Sequence, residues 1–455
     1  MSSMAGLGGG YSGSRGDKGL SMPLVETIRL AWADPDLRSR IQFVLLMFAV
    51  FALGVHIPVP IPGIDSSSVV DRLKGLPAFD YLNTFGGGAL KKVSIFSLGL
   101  NPYITASIIM QVLTNAFPTW KKELQEGGEY ARKQQNKRTR FLTLFLCIFQ
   151  GWGLLKLLGP AMPATATWVT TVTIVTFWTA GAMFMLWLGE QISEKGIGNG
   201  TSLLIFAGII LSLPNTVEGL GRGLKDGAIQ WWSIVLVLAI FLAVTWLVVY
   251  FTTAQRRIPV QHMRRMVGTK MMGGQTSYLP FPVNSVGVIP IIFAVALLGI
   301  PSQLALMVGP TTPVGNFLQT AGLYLHPALS FPEGLIGIVL YTAMIFFFSY
   351  FWTAIQFNVE DISNNLKRGN SYIPGVRPGK QTKEFLDGVI SRITVVGALF
   401  IAFVAILQYL SPSLTGVNAR YVSMIGGTSL LILVSVALET MRQIEANLLM
   451  KQYGQ

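Results

Sequence analysis

Residues 86–114, GGGALKKVSIFSLGLNPYITASIIMQVLT, combine an apolar run of membrane-spanning length with residues that disrupt helices. The part from Val93 to Thr114 carries no charge and is long enough to cross a bilayer. Gly99, Asn101 and Pro102 lie inside it. Proline removes a backbone donor, and in hydrocarbon the freed carbonyl must find another partner. The pattern therefore predicts a helix that is buried in protein or lines a cavity.

The residues just upstream predict a movable element. PAFDYLNTF (77–85) is too short to span a membrane, and the three glycines that follow it, Gly86 to Gly88, permit almost any backbone turn. A short flexible piece hinged to a helix that lines a cavity suggests a gate.

The composition indicates a polytopic membrane protein. The chain has 455 residues, of which 51% are hydrophobic and 12% are charged, and its mean hydropathy is +0.53. Soluble domains carry about 25% charged residues. The single cysteine, Cys147, excludes a disulfide within the chain. Residues 1–20 are rich in Gly and Ser and lack an apolar core, so they predict a mobile tail and not a signal peptide.

The hydropathy pattern predicts an all-α fold with ten transmembrane helices in two halves of five. The apolar segments are 41–57, 93–114, 141–158, 168–188, 200–213, 231–251, 284–308, 334–356, 393–410 and 421–438. Five spans in each half force the second half to be inverted relative to the first, around a central pore. The predicted units are a tail and surface helix (1–40, with Leu24, Ile28 and Trp32 on one face), a first half (41–213), an external linker (214–230), a second half (231–441) and a C-terminal tail (442–455).

The distribution of positive charge predicts the orientation. If the N-terminus is cytoplasmic, the cytoplasmic segments hold 26 of the 34 Lys and Arg residues and the external segments hold 7. This bias places both chain termini in the cytoplasm.

Candidate catalytic groups are missing from the sequence. His56, His262 and His326 match no metal-ligand spacing, and no nucleophile or phosphate-loop motif occurs. Ion-coupled transporters normally keep ionisable groups at mid-membrane, and no predicted span has one near its centre. A solute transporter is the alternative, since inverted repeats and a broken helix would also suit it, but it needs polar ligands at mid-membrane. An intramembrane protease or transferase would need a catalytic pair inside the spans.

Two basic segments predict a cytoplasmic surface. One contains Arg256, Arg257, Arg264, Arg265 and Lys270, and the other is Asn364–Lys383. They could serve only to fix topology. They could also dock a large anionic partner such as ribosomal RNA or an acidic protein.

The chain resembles the SecY family of bacterial protein-translocation channels. The motifs occur in the family's order and cover nearly the whole chain after Pro23: GALKKVSIFSLGLNPYITASIIMQVLT (88–114), GEQISEKGIGNGTS (189–202), QRRIPV (255–260), LPFPVNSVGVIPIIFA (279–294), IPGVRPGKQT (373–382) and GGTSLLI (426–432). The resemblance implies the pore subunit of a translocase that passes unfolded secretory polypeptides and releases apolar segments into lipid. It implies no enzyme activity and no cofactor.

The resemblance also implies a pore ring of aliphatic side chains at mid-membrane, which by motif position are Leu100, Ile104, Ile205, Ile292 and Ile432. Leu100 and Ile104 are four residues apart and share a helical face. Such side chains can seal around any polypeptide without binding it and exclude ions by dewetting. Packing or lipid contact is the ordinary role of such residues in a span.

By the same resemblance, residues 77–88 are the plug and its hinge, with side chains at Phe79, Tyr81, Leu82, Asn83, Phe85, Gly86, Gly87 and Gly88. A lateral gate would lie between 93–114 and 284–305, with polar candidates Asn101, Thr105, Gln111, Asn199 and Asn284. An interhelical hydrogen bond or simple packing is the alternative role for such residues.

The implied partners are SecE and SecG as companion subunits, signal peptides and nascent polypeptides as substrates, and membrane lipids. The ribosome or the SecA motor ATPase would bind the two basic segments, one at a time, with Arg377 as the central contact. The implied location is the bacterial plasma (inner) membrane.

Overall fold

The computed structural model describes residues 24–60, 86–158, 168–227, 229–262, 265–267, 270–272, 276–284, 287–308, 312–325, 327, 335–417 and 427–453. These residues form fourteen helices and five short strands. The first seven helices are α1 (Leu24–Ala33), α2 (Pro35–His56), α3 (Asn101–Ala116), α4 (Pro118–Glu126), α5 (Gly128–Leu158), α6 (Trp168–Lys195) and α7 (Gly200–Lys225). The rest are α8 (Trp231–Thr253), α9 (Ile289–Val308), α10 (Pro313–Leu325), α11 (Leu335–Gln356), α12 (Val359–Arg368), α13 (Lys380–Thr415) and α14 (Thr428–Tyr453).

Membrane-spanning character is clear in much of this chain. Within the described ranges, six segments are long and apolar enough to cross a bilayer: Pro35–His56, Trp168–Lys195, Gly200–Lys225, Trp231–Thr253, Leu335–Arg368 and Lys380–Pro412. The chain is therefore a mostly helical, multi-pass membrane protein.

The predicted surface helix at 23–40 is two helices. Asp34 ends the first and caps the second, since its Oδ1 accepts hydrogen bonds from the backbone N–H groups of Asp36 (2.9 Å) and Leu37 (3.5 Å). The buried face of α1 carries Thr27 and Ala31, whereas Ile28 and Trp32 are exposed. The smaller residues pack against the C-terminal helix α14, and the contact of the exposed face with the membrane surface stays a prediction.

The second predicted span is helical only in its later part. Residues 86–100 form a series of turns, and α3 begins at Asn101. Pro102 lies in the first turn of α3, where its missing N–H would have no helical partner anyway. The proline therefore begins the helix and does not break it.

The predicted external linker 214–230 is largely helical. Helix α7 continues through Pro214 to Lys225, so the span predicted at 200–213 is the first part of a longer helix. A proline removes one helical hydrogen bond, and the helix can resume beyond it. Glu218 and Arg222, one turn apart, form an ion pair of 2.5 Å that supports this extension.

The sequence predicted an all-α fold, and the mostly helical structure also contains five short strands in the described residues. Strands β1 (Gln255–His262), β4 (Thr276–Pro282) and β5 (Ser371–Tyr372) form an antiparallel sheet in the order β4-β1-β5, and β2 (Arg265–Val267) pairs with β3 (Lys270–Met272). Strand β5 belongs to the second basic segment and pairs with β1 of the first through Gln261↔Tyr372 and His262↔Ser371. The two basic segments are thus joined into one folded unit.

Each half of the chain has its own apolar core. One core is built mainly from α2, α6 and α7, and it includes Ile432 and Val436 of α14. The other is built mainly from α8, α9, α11 and α13, and it includes Ile108 of α3. Helices α3 and α14 therefore join the halves.

Candidate functional site

The turns at 86–100 are almost entirely buried, with Lys91 and Lys92 as the exposed residues. Backbone groups in such a place must be paired. The N–H of Val59 donates to the carbonyl of Val93 (3.0 Å), and the N–H of Ile95 donates to the carbonyl of Ile57 (3.1 Å). Ser97 Oγ donates to the carbonyl of Ser94 at 2.6 Å. The segment is a packed element of the protein interior.

Phe96 anchors this segment between α2 and α6. Its ring is 1% exposed and stacks against Phe51 and Phe184, each with ring centroids 6.1 Å away. Glycines permit the approach, because a Cβ at Gly54 would lie 2.0 Å from Phe96 Cε2 and one at Gly181 would lie 2.0 Å from the Ile95 carbonyl oxygen. Sequence reasoning missed this contact, although glycines inside apolar helices are a detectable indication of close packing.

All five residues of the predicted ring lie in one apolar cluster. Leu100, Ile205 and Ile432 are buried in it, and the half-buried Ile104 and Ile292 pack against it. They come from α7, α9, α14 and the N-terminal end of α3, which are far apart in the sequence. Ile104 and Val288 also pack against the other core. The cluster thus lies where the two halves meet.

The glycines of the predicted hinge are buried beside α7. Gly87 has a φ of +67° and Gly88 a φ of +84°, which other residues rarely adopt. A Cβ at Gly87 would lie 3.4 Å from the Cα of Gly208. The plug side chains proposed at 77–85, namely Phe79, Tyr81, Leu82, Asn83 and Phe85, lie outside the described residues.

Two of the predicted gate residues bond within their own helix. Thr105 Oγ1 donates to the carbonyl of Asn101 (3.0 Å), and Gln111 Nε2 donates to Ser107 Oγ (3.1 Å). Gln111 Oε1 is buried and has no partner in the described part of the chain. Ile108 of α3 shares an apolar cluster with Ile291 of α9, so these two helices meet.

A third predicted gate residue, Asn101, is half-buried and begins α3. The other two, Asn199 and Asn284, lie elsewhere. Asn199 is exposed and caps α7, with its Oδ1 accepting from the backbone N–H of Thr201 (3.1 Å) and of Ser202 (3.3 Å). Asn284 is buried against Thr353 of α11 and Thr394 of α13, inside the second half. The structure thus places Asn284 beside α11 and α13. Its role at the lateral gate stays a prediction.

The folded unit of the two basic segments presents exposed positive charge. Arg256 and Arg377 are exposed and Arg257 is half-buried. Arg265 and Lys270 stand on β2 and β3, and Arg264 lies outside the described residues. An apolar core containing Ile258, Phe281 and Leu386 holds the unit together.

Hydrogen bonds hold parts of this unit and of the chain termini in place. Lys383 Nζ donates to Glu360 Oε2 at 2.8 Å. Lys451 Nζ donates to Asp34 Oδ2 at 2.8 Å, and this hydrogen bond holds the pKa of the Asp34 carboxyl below its usual value. Among the residues that the structure describes, no group of three His, Cys, Asp or Glu side chains could hold a metal ion.

Comparison with known proteins agrees with this architecture. A SecY family model matches residues 94–441. The protein translocase subunit SecY of Aquifex aeolicus (strain VF5) is 39% identical over 428 residues, covering 92% of this chain and 96% of the relative.

Solved structures share the fold. A structure described as that of a protein conducting channel has a TM-score of 0.66 at 17% identity and covers 94% of this chain and 98% of its own. Sec61 in the canine ribosome-channel complex from the endoplasmic reticulum gives a TM-score of 0.63 at 16% identity with the same coverage. The family resemblance drawn from the motifs is thereby confirmed, and this chain belongs to the SecY family.

Proposed function

We propose that this chain is the pore-forming subunit of a protein-conducting channel, which passes unfolded secretory polypeptides across the membrane and releases apolar segments sideways into lipid. The observation that carries the proposal is the convergence of Leu100, Ile104, Ile205, Ile292 and Ile432 in one cluster between the halves. The named activity of its family relatives supports it. The chain acts as a channel and not as an enzyme, and a partner supplies the energy.

The chemistry of the cluster suits a seal. Branched aliphatic side chains offer no fixed hydrogen-bond partner, so they can close around a polypeptide of any sequence and exclude water when closed. A solute transporter would instead need polar ligands for its substrate at this depth. The cluster carries none at the five positions.

The ten spans form two inverted halves of five, and both chain termini are cytoplasmic. The ion pair of Lys451 with Asp34 supports the second point, because it joins the C-terminal helix to the N-terminal helices at one side of the protein. The excess of Lys and Arg in the same set of segments supports a cytoplasmic side there. The similarity to SecY of Aquifex aeolicus supports the plasma (inner) membrane of a bacterium.

The lateral exit lies between α3 and α9. The contact of Ile108 with the cluster around Ile291 is apolar, so it can part without leaving buried polar groups unpaired. Asn101, Thr105 and Gln111 lie along α3 on this route, and signal peptides would enter lipid there. Residues 77–85 form the plug, which Gly86 to Gly88 connect to the turns beside α7.

The folded unit of the two basic segments lies in the cytoplasm and is the docking site for a large anionic partner, either the ribosome or SecA. A ribosome-bound relative of the same fold supports the first. The positive charge of the docking site comes from Arg256, Arg257 and Arg377, together with Arg264, Arg265 and Lys270. SecE and SecG, together with lipid, cover the exposed apolar faces that helices such as α8 present.

Ion conductance of the resting protein in planar bilayers tests the seal. We expect Ile205→Asn to raise the conductance at least several-fold, because a polar side chain lets water enter the constriction. The matched control is Ile209→Asn, one helical turn away and equally buried in the same core but outside the ring. Equal conductance of the two variants would contradict the ring assignment.

A further inference from the structure

Asn284 is a buried polar side chain whose amide group has no hydrogen-bond partner among the described residues. It lies in the turn between β4 and α9 and is 9% exposed. Neither Nδ2 nor Oδ1 has a partner in the described part of the chain. Burying an amide without hydrogen bonds is strongly unfavourable. Such a group calls for a ligand.

The side chain borders a small cavity with hydroxyl groups on its other walls. Ser349, Thr353 and Thr394 line it, and the space is large enough for about one water molecule. Each hydroxyl donates to the carbonyl four residues earlier, at 2.7 to 2.8 Å. Their oxygens therefore keep lone pairs that can accept a further hydrogen bond.

The turn that carries Asn284 is held close to α13. A Cβ at Gly397 would lie 2.6 Å from the carbonyl oxygen of Val283, so glycine is needed for this approach. The N–H of Val283 donates to the carbonyl of Ala254 at 2.9 Å. The backbone that carries Asn284 is thus fixed beside the cavity.

We propose that this cavity is a built hydration site that holds one ordered water molecule. The water accepts from Asn284 Nδ2 and donates to the hydroxyl oxygens of α11 and α13, which ties the start of α9 to these helices. The site stands independently of the channel function. Its consequence for gating rests on the proposed function: the tie keeps Ile292, near the start of α9, in the ring.

The first test is a structure determined at a resolution that shows other buried waters. We expect density about 2.7 to 3.2 Å from an Asn284 side-chain atom and from at least one of the three hydroxyls. An empty cavity, or an Asn284 side chain that bonds protein groups directly, would overturn the proposal.

Stability provides the second test. If the water is present, Asn284→Leu removes the amide that binds it and lowers the unfolding temperature of the protein by about 2 °C or more. If the amide is simply unpaired, the same change is neutral or stabilising, because it removes a buried unsatisfied group, and the proposal fails.

Coupling sharpens this test. Thr394→Val should add little once Asn284 has been replaced, since both act through the same water. The control, Thr342→Val on α11, removes a hydroxyl that also donates to its own helix at 2.7 Å but does not line the cavity, so its effect should be additive. Additive effects of Thr394→Val would contradict a shared water.

Resting ion conductance separates the two parts of the inference. We expect Asn284→Leu to raise it and Thr342→Val to leave it unchanged. Unchanged conductance with the water density and the coupling present would reject the gating consequence alone.

Discussion

Gly181→Ala should destabilise the protein by forcing the turns at 86–100 away from α6. The added Cβ would lie 2.0 Å from the Ile95 carbonyl oxygen. Carbon–oxygen contacts are about 3.3 Å or longer, so one of the two backbones must move by about 1.3 Å. The obstacle is a main-chain atom that is fixed by the hydrogen bond of its own residue's N–H to Ile57, so side-chain rotation cannot relieve it.

The expected loss follows from two opposing effects. Overpacking a rigid interior costs up to about 3 kcal/mol, and alanine is better than glycine in a helix by about 1 kcal/mol. The net destabilisation is about 2 kcal/mol by these two estimates. The buried Cys147 serves as the probe, since a thiol-reactive dye labels it when the protein unfolds during heating.

Gly151→Ala is the matched control. It lies on α5 beside the same turns, but its Cβ would meet Leu98 Cδ1 at an ordinary 3.6 Å. Gly151→Ala should therefore be neutral or slightly stabilising. If Gly181→Ala unfolds at the same temperature as Gly151→Ala, the close packing of the turns on α6 is refuted.

Three further predictions concern the cap, the termini and the docking surface. Asn199→Ala should cost about 1 kcal/mol of stability and leave resting conductance unchanged, whereas a conductance change would restore Asn199 to the gate. Hydrogen bonding with Lys451 lowers the pKa of Asp34 and raises that of Lys451, so the pair's stabilisation is present between about pH 4 and pH 10. Lys451→Gln should thus lower the unfolding temperature within that window, with the difference from wild type vanishing below and above it; a constant difference would contradict the pair. Arg377→Glu should weaken ribosome or SecA binding at least tenfold and reduce its salt dependence. Arg222→Glu, on the side that the proposed orientation makes external, should not, and equal effects would exclude a local contact.

Much of the fold could be predicted because a membrane-spanning helix requires a long run of apolar residues, which is visible in the sequence. Apolar runs without charge indicated the helices, and motif positions identified Leu100, Ile205 and Ile432, which the structure brings into one core. The placement of Leu100 and Ile104 one helical turn apart depends only on local sequence, and the structure has it: the Ile104 N–H donates to the Leu100 carbonyl at 3.0 Å. The role of these residues as a seal stays a prediction.

The remaining features depend on contacts between distant segments. Residues 93–100 are apolar enough to be predicted as part of a membrane-spanning helix. Hydrogen bonds from the Ile95 N–H to the Ile57 carbonyl and from the Val59 N–H to the Val93 carbonyl instead hold them as turns. The pairing of His262 with Ser371 joins two segments that are 109 residues apart, and no local sequence pattern predicts this contact. The surroundings of Asn284 were not predictable for the same reason, since they come from α11 and α13, which are distant from it in the sequence.

A crosslink between a stalled polypeptide and the ring tests the central claim most directly. The channel carries Ile104→Cys or Ile205→Cys in a Cys147→Ser background, and a translocation substrate arrested midway carries one cysteine. We predict a disulfide that forms at both ring positions only when the substrate is arrested. Absence of the crosslink at every ring position, in vesicles that still translocate, would contradict the claim that the polypeptide passes through this cluster.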